Sequence, residues 1–85
     1  MKSSATAEFW RLYTQLPEAQ RRHARKAYRL WQRSPNHGSL HFKKAGRLWS
    51  VRVGRGHRAL GLLKGDTMHW LWIGPHDEYE RLLRR

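Results

Sequence analysis

The spacing of apolar residues changes once along the chain, at a loop rich in turn-forming residues that covers positions 34–39. Before this loop, apolar residues recur at intervals of three and four, as on one face of a helix: Phe9, Leu12, Tyr13 and Leu16. After the loop they alternate with polar residues, as in a half-buried strand: Trp49, Val51 and Val53. A helical part followed by a β part predicts a fold of the α+β class.

The helical part predicts two helices joined at Pro17. The first ends at Leu16 and the second runs from Glu18 to Arg33, because proline ends one helix but is tolerated in the first turn of the next. The short connection makes them an antiparallel pair. Four tryptophans are expected in the core: Trp10, Trp31, Trp70 and Trp72.

The β part predicts three or four short strands separated by glycine-containing turns. They cover residues 40–44, 49–53, 57–64 and 67–73. Because the turns are tight, consecutive strands are expected to pair antiparallel.

A short closing helix is expected over residues 77–83, after Gly74–Pro75 ends the last strand. Its basic residues lie at its end, as the helix dipole favours: Arg81, Arg84 and Arg85. No strand is recognisable in the segment MKSSATAEF before the first helix. The expected fold is an N-terminal antiparallel helix pair packed on one face of a twisted antiparallel β-sheet of three to four strands, with a short C-terminal helix.

The charge of the chain is strongly positive. Its 85 residues fit a single domain, residues 1–85, and 18 Lys and Arg against 6 Asp and Glu give a formal net charge of +12. Such a charge attracts polyanions, which are nucleic acid, an acidic membrane or an acidic protein. Thirteen of the bases are Arg, whose planar guanidinium binds phosphate through two contacts. The alternative is a surface that is basic only for solubility.

Metal, nucleotide and serine-hydrolase chemistry all lack their motifs in this sequence. There is no cysteine, and no predicted helix carries a His-x-x-x-His pair. Gly54–Arg55–Gly56 lacks the lysine and serine of a phosphate-binding loop, and no serine lies in a G-x-S-x-G motif. We therefore expect no metal and no cofactor. No segment has the ~18 apolar residues that span a bilayer, and no secretory signal is recognisable, so the expected location is the cytoplasm.

Basic and aromatic side chains gather on the predicted sheet and its rims: His41, Lys43, Lys44, Arg52, Arg55, His57, Arg58, His76 and Tyr79. Such a set suits RNA cleavage without a metal, in which the ribose 2′-OH attacks the adjacent phosphate. Histidine can take or give the proton, arginine can stabilise charge on the phosphate, and tyrosine can orient or stack.

Several of these residues also have a purely structural interpretation. Arg52 alternates with two valines and fits the solvent face of a half-buried strand. Arg58 shares its face with Leu60 and Leu62, where a charge needs a partner or a ligand. His76 follows a strand-ending Gly-Pro pair and fits a turn residue as well as an acid or base.

Two segments of the β part stand out together: LWSVRVGRGHRAL at 48–60 and WIGPHDEY at 72–79. With the two N-terminal helices and the segment His41–Lys44, they resemble the RelE/ParE superfamily of bacterial type II toxins. The resemblance implies a helical hairpin on a twisted antiparallel sheet, and neutralisation by an antitoxin. Three features depart from the family. The family's usual strand before the first helix is not recognisable in MKSSATAEF, His57 stands where many relatives have Tyr, and Asp77 and Glu78 replace bases found in some ribonucleases.

The resemblance further implies one of two actions, which are cleavage of mRNA at the ribosome or non-enzymatic poisoning of DNA gyrase. For an endoribonuclease it implies Arg52 and Arg58 as phosphate-binding residues, His76 as the general acid or base, and Tyr79 as a stacking or orienting residue. The remaining bases of the set are expected to bind RNA: His41, Lys43, Lys44, Arg55 and His57.

The expected partners follow from these alternatives. They are an acidic, partly disordered antitoxin, together with mRNA and the ribosome, or DNA gyrase in the second interpretation. A third interpretation is a basic RNA- or DNA-binding domain without toxicity.

Overall fold

A computed structural model describes residues 1–84 of the chain and confirms the α+β class, whereas Arg85 lies outside the described residues. The helices are α1 (Ala7–Thr14), α2 (Glu18–Arg33) and α3 (His76–Leu83). The strands are β1 (Lys2–Ala5), β2 (Lys43–Ala45), β3 (Leu48–Val53), β4 (His57–Lys64) and β5 (Thr67–Pro75). Within residues 1–84, no helix has the length and apolar character needed to cross a membrane.

The sheet has five strands in the order β1-β5-β4-β3-β2, and it is mixed because β1 pairs parallel to β5. The expectation of three to four strands, all antiparallel, is therefore wrong at the N-terminus. The sequence of β1 is KSSA, without the apolar alternation that identifies a strand. It is held by its partner: the Lys2 N–H donates to the Asp66 carbonyl at 2.9 Å, and the Thr6 N–H donates to the Trp70 carbonyl at 3.0 Å.

The hydrophobic core lies between one face of the sheet and the helices α1 and α2. Trp31 of α2 is only 1% exposed and packs with Trp70 of β5 at a ring-centroid distance of 5.3 Å. The sheet supplies the rest of this layer: Val51, Val53, Ala59, Met68 and Ile73. Trp10, which was expected in the core, is instead 53% exposed. Helix α1 packs on the core through Phe9 and Leu12, and because only one face of a surface helix contacts the core, Trp10 lies on the side that faces solvent.

A β-bulge in β5 separates two tryptophans that were expected to lie together. Leu60 is opposite Trp72 and Gly61 is opposite Trp70, so Leu71 is an extra residue in β5. One extra residue inverts the alternation of faces. Trp70 therefore joins the core, whereas Trp72 is on the other face of the sheet.

Two strand ends also differ from the prediction. Gly38–Leu40 form a 3₁₀ turn, His41 adopts a left-handed conformation at φ 45°, and β2 begins only at Lys43. At the other end, β5 continues through Pro75, which tolerates the position because it is the last residue of its strand.

Candidate functional site

The sheet face opposite α1 and α2 brings two arginines together. Arg52 of β3 is directly opposite Arg58 of β4, and Arg58 is opposite Gly74 of β5. Successive side chains of a strand alternate between faces, and the neighbours Val51 and Ala59 lie in the core. Both arginines therefore project from the face that the helix pair leaves uncovered.

The two guanidinium groups have few partners within the protein. Arg52 donates from Nε to the Gly54 carbonyl at 3.1 Å, and Arg58 donates from Nη1 to the His57 carbonyl at 2.8 Å. Within residues 1–84, neither forms an ion pair with a carboxylate. Burial lowers the pKa of Arg58, repulsion from Arg52 lowers it further, and Tyr79 and Glu80 raise it. An anion bound between the two arginines would relieve this repulsion.

Helix α3 places Tyr79 and Glu80 close enough to Arg58 to raise its pKa, and His76 begins the same helix. The His76 N–H donates to the Gly56 carbonyl at 2.8 Å, which fixes the start of α3 to the turn between β3 and β4. Tyr79 is only 5% exposed, and its ring centroid lies 5.7 Å from that of His76. The helix packs on β4 and β5. We call Arg52, Arg58, His76 and Tyr79 the sheet-face cluster.

Two further groups of this region were not singled out from the sequence. Glu80 places Oε1 3.3 Å from Nε2 of His76, and the four-residue spacing on a helix was the signal for it. Gly74 lies under the indole of Trp72. A Cβ added at this position would be only 2.6 Å from Cζ2 of the indole, so no larger residue fits there. Trp72 and Gly74 both follow the bulge in β5, so strand alternation places them on one face and was the signal for this contact.

The remaining candidates lie in different places. Lys43 is opposite Ser50 and shares the face of the two arginines, whereas Lys44 is opposite Trp49 on the other face. His41 and Arg55 are exposed in loops. Among residues 1–84, no group of three or more His, Asp and Glu side chains could hold a metal ion.

His57 lies on the face that carries the helices, away from the sheet-face cluster. It is in register with Val53, which belongs to the core. Burial lowers its pKa, as does the charge of His23 on α2, whereas Glu78 raises it. Its Nδ1 is buried without a hydrogen-bond partner among the described residues. His57 therefore belongs to the junction between α2 and the turn after β3.

An apolar cavity of about 370 Å³ opens between α1, α2 and β1 on the helix side of the molecule. Its rim includes the exposed rings of Trp10 and Tyr28, and its floor reaches the core residues Trp31 and Ile73. Arg25 is the basic residue among those that line it. Its guanidinium already contacts the Tyr13 hydroxyl at 2.8 Å and Glu18 at 3.4 Å, so the cavity offers mainly an apolar surface, which is typical of interaction sites.

The fold matches solved structures of toxins and of a toxin complex. The family described as the ParE-like toxin domain matches residues 18–81, which is more than half of the chain. The RelB–RelE antitoxin–toxin complex from Methanococcus jannaschii has a chain that matches with a TM-score of 0.72 and 17% identity, over 92% of this chain and 95% of that one.

Two further structures agree. The YoeB/ParE toxin from Agrobacterium tumefaciens matches with a TM-score of 0.69 and 21% identity, over 89% of this chain and 99% of that one. YafQ from E. coli matches with a TM-score of 0.65 and 11% identity, over 92% and 96% of the two chains. No curated protein sequence matches significantly.

Proposed function

We propose that this chain, which belongs to the family of ParE-like toxin domains, is the toxin of a type II toxin–antitoxin system and acts as a ribosome-dependent, metal-independent mRNA endonuclease. The observation that carries the proposal is the opposition of Arg52 and Arg58 on the open sheet face, without a carboxylate between them among residues 1–84. Partly buried cations without an acidic partner are costly unless a ligand compensates them. A phosphodiester is the ligand that two guanidinium forks fit.

In the proposed reaction, the ribose 2′-oxygen attacks the adjacent phosphorus. The bond to the 5′-oxygen then breaks, which leaves a 2′,3′-cyclic phosphate. Arg52 and Arg58 stabilise the charge that develops on the phosphoryl oxygens. His76 takes the proton of the 2′-hydroxyl or gives a proton to the 5′-oxygen, water exchanges the other proton, and the leaving fragment ends in a 5′-hydroxyl. Glu80, 3.3 Å from Nε2 of His76, orients the imidazole, and the largely buried ring of Tyr79 supports it from the protein side.

The proposed partner in the cell is an acidic antitoxin. The matching structure from Methanococcus jannaschii is a complex of a toxin with its antitoxin. This chain offers such a partner an apolar cavity with exposed aromatic rings, on a body of net charge +12. An amphipathic acidic segment that folds on binding satisfies both features.

The test compares His76→Ala with His37→Ala, which changes an exposed loop histidine. We expect His76→Ala to abolish growth arrest and to lower mRNA cleavage on ribosomes about 10²–10⁴-fold. His37→Ala should leave both unchanged, and circular dichroism should show that both variants fold.

A gyrase supercoiling assay is run in parallel. Gyrase inhibition that survives His76→Ala, with no mRNA cleavage by the parent chain, would instead assign the non-enzymatic gyrase inhibitor. Healthy growth on expression of the parent chain, with abundant soluble protein, would exclude both toxin functions and leave a basic nucleic-acid-binding domain.

A further inference from the structure

The outward side of α2 carries a row of basic side chains, which we call the α2 row: Arg22, Lys26, Arg29 and Arg33. At 3.6 residues per turn these four positions fall within a sector of about 60° and extend over about 16 Å. The core-facing side of the same helix carries Ala24, Ala27 and Trp31, so the α2 row points directly away from the core.

The α2 row has little compensation from acidic residues. All four side chains are exposed. Arg22 approaches Glu18 at 3.8 Å, whereas Lys26, Arg29 and Arg33 form no ion pair and no side-chain hydrogen bond within residues 1–84. Like charges four residues apart on a helix destabilise it by about 0.2–0.5 kcal/mol per pair. Solubility alone does not require this, because surfaces that mix both signs are equally soluble.

The chemistry of the row favours one class of partner. Its sector holds no aromatic side chain, although protein interfaces and sites for single-stranded nucleic acid rely on aromatic anchors or stacking platforms. The exposed rings of this molecule, Trp10 and Tyr28, lie instead at the apolar cavity. A row of cations without stacking groups suits a regular polyphosphate backbone, which double-stranded nucleic acid presents.

We infer that the α2 row is a second phosphate-binding surface, which holds the backbone of double-stranded RNA. Phosphate binding is argued from the charges of the row alone. The choice of RNA over DNA rests on the proposed ribosome-dependent function. Helix α2 packs on one face of the sheet, and the sheet-face cluster lies on the other. The chain thus has two separate basic surfaces, one for structured RNA and one for the strand that is cut.

The test measures binding of a labelled RNA duplex of about 20 base pairs by fluorescence anisotropy over a range of salt concentrations. The protein is the full chain of 85 residues made by chemical synthesis, because a ribosome-dependent mRNA endonuclease would stop its own production in cells and in cell-free translation. The variant is the triple substitution Lys26→Gln, Arg29→Gln and Arg33→Gln. Its matched control removes three charges elsewhere, through Lys2→Gln, Arg11→Gln and Lys64→Gln.

We expect the triple variant to weaken RNA binding at least about tenfold at ~100 mM salt, and to reduce the slope of log K against log salt by about two to three. The control should change affinity less than about threefold. A variant with Arg29→Lys and Arg33→Lys keeps the charge and should keep binding, which separates loss of charge from loss of fold.

Three outcomes would overturn the inference. One is an equal loss of affinity in the triple variant and its control, which would make the row a solvated surface. Another is tighter binding of a DNA duplex of the same sequence, and the third is competition by polyglutamate as effective as that by RNA. None of these measurements involves cleavage, so a failed nuclease function and a failed RNA surface are distinguishable.

Discussion

At the scale of single residues, the pairing of Arg52 opposite Arg58 is expected to favour binding of an anion and to lower the stability of the free protein. Like charges directly opposite each other on neighbouring strands destabilise a sheet, and burial lowers the pKa of Arg58, followed by the effect of Arg52. Residues that a protein keeps despite such a cost are often functional. We expect the repulsion between the two guanidinium groups to be largest in the free chain and to decrease when an anion binds between them.

Replacing Arg58 by Gln tests both sides of this conflict. We expect cleavage to fall about 10²–10³-fold, because one stabiliser of the phosphoryl charge is lost. We also expect the melting temperature of the free chain to rise by a few degrees, because the repulsion with Arg52 disappears. Calorimetry and a cleavage assay give the two readouts. Arg55→Gln, in the exposed turn, is the control, and a lower melting temperature for Arg58→Gln would contradict the stated conflict.

The lowered pKa of His57 predicts how the stability of the protein depends on pH. Its pKa in the folded protein is lowered from 6.5, first by burial and then by His23, with Glu78 opposing. The folded state therefore resists a proton that the unfolded state accepts. Stability should be intact above the unfolded pKa and should fall as the pH decreases below it.

The measurement is urea denaturation at about pH 7.5 and about pH 5.5. We expect His57→Gln to lose less stability between these values than the parent chain. His37→Gln should behave like the parent, since that histidine is exposed in a loop. An equal pH dependence in all three proteins would show that His57 does not control it.

At the scale of elements, β1 offers a matched pair of proline substitutions. The N–H groups of Lys2 and Thr6 point to β5, so by alternation that of Ser4 does as well, whereas that of Ser3 faces the free edge. Ser4→Pro should therefore cost about 1–3 kcal/mol of unfolding free energy, and Ser3→Pro clearly less. Urea denaturation measures the unfolding free energy of each variant. Equal losses would contradict the pairing of β1 with β5.

The elements also show what local sequence can determine. The bounds of α2 (Glu18–Arg33) and β4 (His57–Lys64) agree with the prediction, since Pro17 and the flanking glycine turns mark them physically. By contrast, β1 exists because β5 has a free edge, and the face of Trp72 depends on the bulge at Leu71. Both depend on residues distant in the sequence, as does the position of His57 against α2.

The cross-strand neighbours Arg52 and Arg58 could be placed on one face from alternation, because β3 and the first half of β4 are regular. The contact between His76 and Tyr79 follows from their three-residue spacing on α3, whereas the packing of α3 on β4 and β5 could not be predicted from periodicity. The functional roles of these four residues stay predictions.

At the scale of the whole molecule, self-repulsion is expected to limit stability. The net charge is +12, and the ion pairs within residues 1–84 are largely exposed, which makes each worth little. Raising KCl from about 50 mM to about 500 mM should screen the repulsion and raise the melting temperature. The triple variant of the α2 row should gain less from salt. A melting temperature that falls with salt would mean that ion pairs dominate.

The pairing of β1 with β5 also sets an order of events during synthesis. Lys2 is in register with Thr67, so β1 cannot be completed in the sheet until β5 has left the ribosome. Closing so long a loop is slow compared with local helix formation. The nascent chain therefore passes through an interval with α1 and α2 formed but the sheet unfinished, and His76 and Tyr79 are made only after β5. A neutralising protein that is already present has that interval in which to engage the chain before it becomes active.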